Sequence, residues 1–166
     1  GAGSCDKARA LCRSLAATHF VGVDISADYL HGAIARLRKA LPGLDARAVG
    51  GDITAGLRLP PDIPAERRLV FYPGSSIGNF DPSQAVALLA QMRTLAQSGG
   101  ALLVGIDLPK DRAVLEAAYD DAAGVTAAFN RNALVHVNRL IGSDFAPRQW
   151  RHRAFFNQGA SRIEMH

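Results

Sequence analysis

The chain has 166 residues, of which 48% are hydrophobic and 20% are charged. This is the balance of a globular protein, and the length suits one domain, residues 1–166, with its own core. No apolar run approaches the roughly 20 residues of a membrane-spanning helix, so we expect neither a membrane segment nor a secretory signal. The net charge of +4 comes from scattered basic residues, so we expect a solvated surface and no nucleic-acid partner.

Hydrophobic periodicity predicts alternating helices and strands over the first two thirds of the chain. The predicted helices are 5–15, 27–41 and 83–96, and the predicted strands are 20–24, 45–49, 68–72 and 101–106. Ser26 can cap the second of these helices. Unbroken apolar strands that alternate with helices indicate an α/β fold with a mostly parallel sheet covered on both faces.

The last third of the chain has a different pattern. Residues 113–140 are predicted to be mostly helical, with a break near Gly124. Two short strand-like pieces follow, at 152–156 and 162–165, and the Asn157-Gln158-Gly159 sequence between them indicates a hairpin.

The two cysteines and five histidines indicate no metal site. Cys5 and Cys12 match neither a zinc pattern nor a disulfide framework, so we interpret them as reduced thiols of a cytoplasmic protein. No pair of histidines has the spacing of metal ligands on one helix face, and no metal is predicted.

Three features stand where an open parallel sheet binds its ligand, beyond the carboxyl ends of the strands. Gly1 and Gly3 precede the first helix, where a backbone without side chains can approach a ligand closely. Asp24 ends the next strand, where a carboxylate suits the hydroxyls of a ribose, and Asp52 follows the strand after it, where an acid can meet a purine amino group. Each feature is also typical of an ordinary turn or cap. NAD binding would give a similar layout, but Asp6 stands where its third glycine is expected.

A second group of residues follows the strand at 68–72. The loop 73–80 contains Asn79, which can face a substrate if Asp81 and not Asn79 caps the following helix. The same loop holds a Gly-x-Ser-x-Gly string, the pattern of a hydrolase nucleophile, but such strings occur by chance. The acids Asp120 and Asp121 can also be read as a solvated helix end, and Asn130 as another helix start.

Longer strings resemble one family, the histidine-specific S-adenosylmethionine (SAM) dependent methyltransferases, which make hercynine in ergothioneine biosynthesis. The resemblance covers essentially the whole chain. Its clearest segments are Gly74–Phe80, Gly105–Asp111, Ala118–Asn130 and Arg162–Met165. It implies a Rossmann-like methyltransferase fold, here truncated at both ends, without its first strand and its C-terminal substrate-binding part.

The resemblance also implies roles for individual residues. The residues expected to contact SAM are Gly1, Lys7, Asp24, Asp52 and Ile53. Asn79 and Tyr119 are expected to hold the substrate, at its carboxylate. Ile53 stands where the family commonly has Phe, and Ser4-Cys5 where its glycine loop usually has Ser or Thr.

The implied reaction is direct methyl transfer to the α-amine of L-histidine, with positioning and desolvation as the main tasks of the protein. No general base is assigned, and a carboxylate, a tyrosine or water can serve. Two alternatives stay open: methylation of a related histidine derivative, as in ovothiol biosynthesis, and a non-catalytic remnant that binds a partner. The oligomeric state is not predicted.

Overall fold

The computed structural model describes residues 1–166, which form two compact units, Gly1–Asp107 and Leu108–His166. The predicted helices and strands all occur, with ends shifted by one or two residues. The helices are α1 (Asp6–Ser14), α2 (Ala27–Ala40), α3 (Pro82–Ala96), α4 (Arg112–Tyr119) and α5 (Val125–Ile141). The strands are β1 (His19–Asp24), β2 (Asp45–Gly50), β3 (Leu69–Tyr72), β4 (Ala101–Val104), β5 (Ala154–Asn157) and β6 (Arg162–Met165).

The first unit contains two separate parallel strand pairs. β1 pairs with β2 from His19↔Asp45 to Asp24↔Gly50, and β3 pairs with β4 from Leu69↔Ala101 to Tyr72↔Val104. β1 and β3 are not hydrogen-bonded to each other. Both line one cleft of about 980 Å³, together with apolar side chains of α1 and α3. The pairing is therefore parallel, as the alternating pattern predicts, but it does not run through one continuous sheet.

The larger of two apolar clusters packs α1 and α2 against the first strand pair. Leu30, Ile34 and Leu37, which share one face of α2, are almost completely buried. Gly22 of β1 allows the helix to approach the sheet closely, because a Cβ there would lie 3.1 Å from Leu30 Cδ1. This packing fixes the carboxyl end of β1 relative to the start of α1.

The smaller cluster packs α3 against the second strand pair. Tyr72 of β3 and Leu88 and Met92 of α3 form its buried centre. Gln84 Oε1 accepts a hydrogen bond from the amide of Asp81, the N-cap of α3, at 3.0 Å. Asp81, and not Asn79, therefore occupies the N-cap position of α3, as predicted. Ser26 stands at the N-cap of α2, but its side chain makes no capping bond, and its own amide donates to Asp24.

The second unit consists of α4, α5 and an antiparallel hairpin of β5 and β6. The hairpin register runs from Ala154↔Met165 to Asn157↔Arg162, and reciprocal backbone hydrogen bonds between Arg153 and His166 extend it by one pair. The predicted break at Gly124 is confirmed, since Gly124 lies in the left-handed region with φ 73° between α4 and α5. None of the helices combines the length and apolar character that crossing a membrane requires.

Candidate functional site

The carboxyl end of β1 meets the glycine loop that precedes α1. The Ala2 amide donates to the Val23 carbonyl oxygen at 2.8 Å, and the Gly3 amide donates to Asp24 Oδ2 at 3.1 Å. The Ser26 amide donates to the other carboxylate oxygen, Oδ1, at 3.0 Å. Asp24 is therefore held by one amide on each oxygen, which fixes its orientation at the edge of the sheet.

This environment keeps Asp24 ionised and leaves it able to accept further bonds. The backbone hydrogen bond from Ser26, and then that from Gly3, lowers the pKa of the Asp24 carboxyl below its ordinary value. Each carboxylate oxygen still has a lone pair, because the two amides occupy one site on each. At Gly1 a side chain would intrude, since a Cβ there would lie 3.3 Å from Asp24 Oδ2. The loop thus leaves the carboxylate open on this side.

The turn after β2 reaches the same edge. The Gly51 amide donates to the backbone oxygen of Asp24 at 3.0 Å, which ties the turn to the end of β1. Asp52 follows, and its Oδ1 accepts from the amide of Thr54 at 2.8 Å and from the Thr54 hydroxyl at 2.7 Å. These bonds lower the pKa of the Asp52 carboxyl. One oxygen of Asp52 is used within its own turn, and the other takes no part in it.

Lys7 and Ile53 lie on the walls of the cleft between β1 and β3, which Gly1 also lines. Lys7 is an exposed residue of the first turn of α1. Ile53 is partly buried and packs against the cluster around Tyr72. Ile53 therefore has a packing role that its sequence context did not reveal.

The loop after β3 is tied to the segment that follows β4. Ser75 lies in the left-handed region with φ 57°, its amide donates to Gly105 O at 3.1 Å, and its hydroxyl accepts from the Asp107 amide at 2.9 Å. Asn79 ends the short 3-10 helix Ser76–Asn79 and is exposed. The loop is thus fixed through its serine, while the Asn79 side chain faces solvent.

The serines of this loop do not form a hydrolase site. The Ser75 hydroxyl is engaged by a backbone amide, and none of the hydrogen bonds at Ser75 or Ser76 involves a histidine. A serine nucleophile needs an adjacent base within hydrogen-bond reach. The Gly-x-Ser-x-Gly string is therefore explained by the turn and not by nucleophilic catalysis.

In the second unit, the Tyr-Asp-Asp-Ala-Ala-Gly-Val-Thr string builds the junction between α4 and α5. Asp121 Oδ1 accepts from the amide of Thr126 at 2.8 Å, and Oδ2 accepts from the amide of Val125 at 2.9 Å. Bonds from Thr126 and then Val125 lower the pKa of Asp121 to about 2. The Asp121 side chain therefore caps the start of α5, which corrects its interpretation as part of a solvated helix end. Tyr119 ends α4 and its side chain is exposed.

A polar network that the sequence did not indicate, formed by His152, Asn130 and the Tyr119 carbonyl, connects the end of α4 to α5. The His152 side chain is only 1% exposed. Its Nε2 lies 2.7 Å from the backbone oxygen of Tyr119, and its Nδ1 lies 3.0 Å from Asn130 Nδ2. Asn130 lies within α5 and contacts His152, so the interpretation of Asn130 as a helix start is wrong. No sequence signal pairs His152 with a residue 33 positions away.

The expected site residues fall into four places. The carboxyl edge of β1 and β2 brings together Gly1, Asp24 and the turn that carries Asp52. Lys7 and Ile53 lie along the neighbouring cleft of the same unit, and Asn79 lies in the loop after β3. Tyr119 belongs to the second unit.

With this geometry in hand, comparison with known proteins identifies the family. A family model described as "Histidine-specific methyltransferase, SAM-dependent" matches residues 1–166. The chain belongs to this family. The resemblance of the motif strings is thereby confirmed over the whole length of the chain.

Named relatives agree with this assignment. The chain is 40% identical to the Histidine N-alpha-methyltransferase of Mycolicibacterium smegmatis and 37% identical to that of Mycobacterium tuberculosis, in each case over 99% of this chain and 52% of the relative. It is 33% identical to the Ergothioneine biosynthesis protein 1 of Neurospora crassa over 57% of this chain and 11% of that protein. The chain therefore spans about half the length of the histidine methyltransferases that it matches.

Proposed function

We propose that the full-length protein is a SAM-dependent methyltransferase that methylates the α-amine of L-histidine to give hercynine, for ergothioneine biosynthesis. The family match supports the reaction class, and the 40% identical relative carries histidine N-alpha-methylation in its name. The structural observation that supports it best is the ionised Asp24 beside the glycine loop, with both oxygens oriented by backbone amides. The cysteines are free thiols, the state expected in the cytoplasm, which stays our predicted location.

The edge of β1 and β2 fits the adenosine part of SAM. The Asp24 carboxylate has acceptor capacity left for a ribose diol, and the glycine at position 1 keeps a side chain away from it. Asp52 would meet the adenine amino group, with Ile53 against the ring and Lys7 near the glycine loop. When bound, SAM supplies a methyl group that its sulfonium already activates.

For the substrate we propose contacts from Asn79 and from Tyr119. Asn79 offers an exposed amide, and Tyr119 an exposed hydroxyl at a helix end that the polar network holds in place. In each transfer the neutral α-amine nitrogen forms a bond to the methyl carbon as the carbon–sulfur bond breaks. The amine must lose a proton before each transfer, and a carboxylate, a tyrosine or water receives it. The contribution of the chain is orientation and exclusion of water.

The test is an assay of the purified full-length protein with SAM and L-histidine, in which mass spectrometry follows the mono-, di- and trimethylated products. We expect stepwise methylation of L-histidine and none of Nα-acetylhistidine, whose amide nitrogen is not nucleophilic. Methylation of the acetylated compound would place the reaction on the ring and contradict the proposal. SAM binding without any turnover would favour the non-catalytic alternative.

We also infer that one further strand completes a Rossmann-like sheet between β1 and β3, so that residues 1–166 are part of a single methyltransferase domain. Three observations support it: the facing edges of β1 and β3 are unpaired, both line one cleft, and apolar side chains of α1 and α3 form its walls. Unpaired strand edges beside an apolar cleft expose backbone groups that a parallel strand would satisfy. The sheet would then have helices on both faces.

This inference predicts that residues 1–166 alone are poorly folded and inactive. A domain is stable by only about 5–15 kcal/mol. The absence of a central strand between β1 and β3 should cost more than this margin, so we expect no cooperative unfolding transition. The measurement is the thermal melt of this span beside that of the full-length protein. A sharp melt of the span alone would contradict the inference, and hercynine formation by it would show that other segments are not needed for substrate recognition.

A further inference from the structure

His152 is the only buried charged or polar residue of the chain, and both of its ring nitrogens are engaged. Nε2 faces the Tyr119 carbonyl oxygen at 2.7 Å, and Nδ1 faces the Asn130 amide nitrogen at 3.0 Å. All three residues belong to the second unit. The ring therefore connects the end of α4, the middle of α5 and the segment that leads into β5.

The partners determine which nitrogen carries the proton. A backbone carbonyl oxygen only accepts, so Nε2 must be the donor to Tyr119. The Asn130 nitrogen, which also points at the His166 carbonyl oxygen at 3.5 Å, is a donor, so Nδ1 must accept. The Nε2–H tautomer satisfies both contacts, so neither ring nitrogen is buried without a partner.

The contact falls on a carbonyl that the helix cannot satisfy. Tyr119 is the last residue of α4, and the last carbonyls of a helix have no intrahelical partner. The ring supplies that partner, and Asp120 Oδ1 lies 3.9 Å from the same Nε2. Since the backbone of Tyr119 is held at its carbonyl, the direction in which its side chain leaves the helix end is held as well.

We propose that His152 is a positioning residue for substrate binding: through the hydrogen bond to the Tyr119 carbonyl it fixes the backbone of Tyr119, and with it the direction in which the Tyr119 side chain leaves α4. The proposal rests on the proposed function, in which Tyr119 contacts histidine. We propose no contact between His152 and the substrate itself. Its effect passes through Tyr119 and leaves the SAM-binding edge in the first unit unchanged.

Two variants of the full-length enzyme distinguish the effect of the His152 hydrogen bonds from the effect of its side-chain volume. His152→Leu keeps the volume and removes both polar contacts, whereas His152→Gln keeps a donor for the Tyr119 carbonyl and an acceptor for Asn130. We expect His152→Leu to raise KM for histidine about tenfold, the equivalent of one hydrogen bond lost, with SAM affinity unchanged. We expect His152→Gln to restore KM to near the wild-type value.

A double-mutant cycle with Tyr119→Phe tests the route of the effect. If His152 acts by orienting the tyrosine, His152→Leu should change KM much less when the hydroxyl is already absent, so the two effects are not additive. Additive effects would contradict the proposal. An equal loss of SAM binding and of histidine binding would also contradict it, because His152 would then only maintain the fold.

Asn130→Ala and an NMR measurement keep the proposal testable if His152→Leu fails to fold. Asn130→Ala removes the partner of Nδ1 and should raise KM in the same direction, by less than the loss of the ring. Ring ¹⁵N shifts of His152 should show the Nε2–H tautomer in the wild type, and the opposite tautomer would overturn the proposal. A wild-type enzyme that does not methylate histidine would refute the proposed function. An active wild type whose KM for histidine is unchanged by both His152→Leu and Asn130→Ala would refute the positioning role alone.

Discussion

Residues 1–107 contain nearly all of the buried apolar side chains of the chain, whereas Ala154 is the one in residues 108–166. In the first unit, α2 alone contributes Leu30, Ala33, Ile34 and Leu37 to a continuous cluster. In the second unit, a few side-chain hydrogen bonds, to backbone groups and to one another, connect the helices instead. Asp121, Asn130 and His152 hold the helix junction.

Each unit is therefore sensitive to a different kind of substitution. Apolar packing is non-directional and is shared among many contacts, so the glycine loop and Asp24 rest on a core whose stability does not depend on any single polar group. Hydrogen bonds are directional, and the loss of one leaves a particular group unsatisfied. The segment around Tyr119 should therefore respond most to polar substitutions, and the first unit to changes in the volume of buried side chains.

The largest effect is expected from removing core volume in the first unit. Leu30 is fully buried at 0% exposure, so Leu30→Ala in the full-length protein should cost about 2–5 kcal/mol of unfolding free energy. Val86 of α3 is 68% exposed and Val86→Ala is the control, with little expected change. Denaturant unfolding of both variants measures the difference. Equal midpoints would mean that this cluster does not carry the stability of the first unit.

The next effect is on cofactor affinity. Asp24→Ala removes the carboxylate and should weaken SAM binding by about 1.5–3 kcal/mol, roughly tenfold to more than a hundredfold, because bonds to a charged group are lost. Asp28, an exposed acid in the first turn of α2, is the matched control, and Asp28→Ala should leave the affinity unchanged. Calorimetry gives both values. If Asp24→Ala bound SAM as tightly as the wild type, the proposed placement of the ribose at this edge would be wrong.

The sequence predicted the elements well because their signals are local. The apolar stripe of α2, the strand that ends in Asp24 and the break at Gly124 each depend on neighbours along the chain. The alternating pattern alone did not indicate that β1 and β3 remain unpaired, because strand neighbours are determined by long-range contacts. Only the family resemblance, which implies an absent first strand, led us to expect unpaired strand edges.

The candidate site was predictable in a similar way. Glycines before a helix and an acid after a strand have a local meaning, and the motif strings indicated the family. The contact of the Gly3 amide with Asp24 and the contact of His152 with Tyr119 join residues 21 and 33 positions apart. Such contacts follow from packing, and no spacing rule indicates them.

A smaller effect is expected from the hydroxyl of Tyr119. Tyr119→Phe keeps the ring, which is 42% exposed, and should raise KM for histidine by about threefold to tenfold, the range of one net hydrogen bond, with SAM binding intact. Tyr29, which is 56% exposed on α2, provides the control variant Tyr29→Phe. Steady-state kinetics distinguishes the two. Normal turnover of histidine by Tyr119→Phe would leave Tyr119 as a surface aromatic without a substrate contact.

The smallest effect, a pH dependence of stability, should come from Asp121, because its carboxylate is partly exposed to solvent. Hydrogen bonds from Thr126 and then Val125 lower its pKa to about 2, from an ordinary value near 4. A carboxyl whose pKa is lower in the folded state stabilises the protein above the unfolded-state value and loses that contribution as the pH falls through the folded-state value. Asp121→Asn has one acceptor oxygen where the wild type uses two, so it should be less stable at neutral pH. The difference in stability between wild type and variant should shrink as the pH falls from 4 to about 2.

Asp111 is the matched control, since it caps α4 by accepting from a single amide, that of Ala113 at 2.8 Å. An amide oxygen can replace that one acceptor, so Asp111→Asn should lose less stability than Asp121→Asn at neutral pH. Urea midpoints of the full-length proteins across this pH range measure both. A constant difference in midpoint between Asp121→Asn and the wild type would mean that the cap acts through its shape and not its charge.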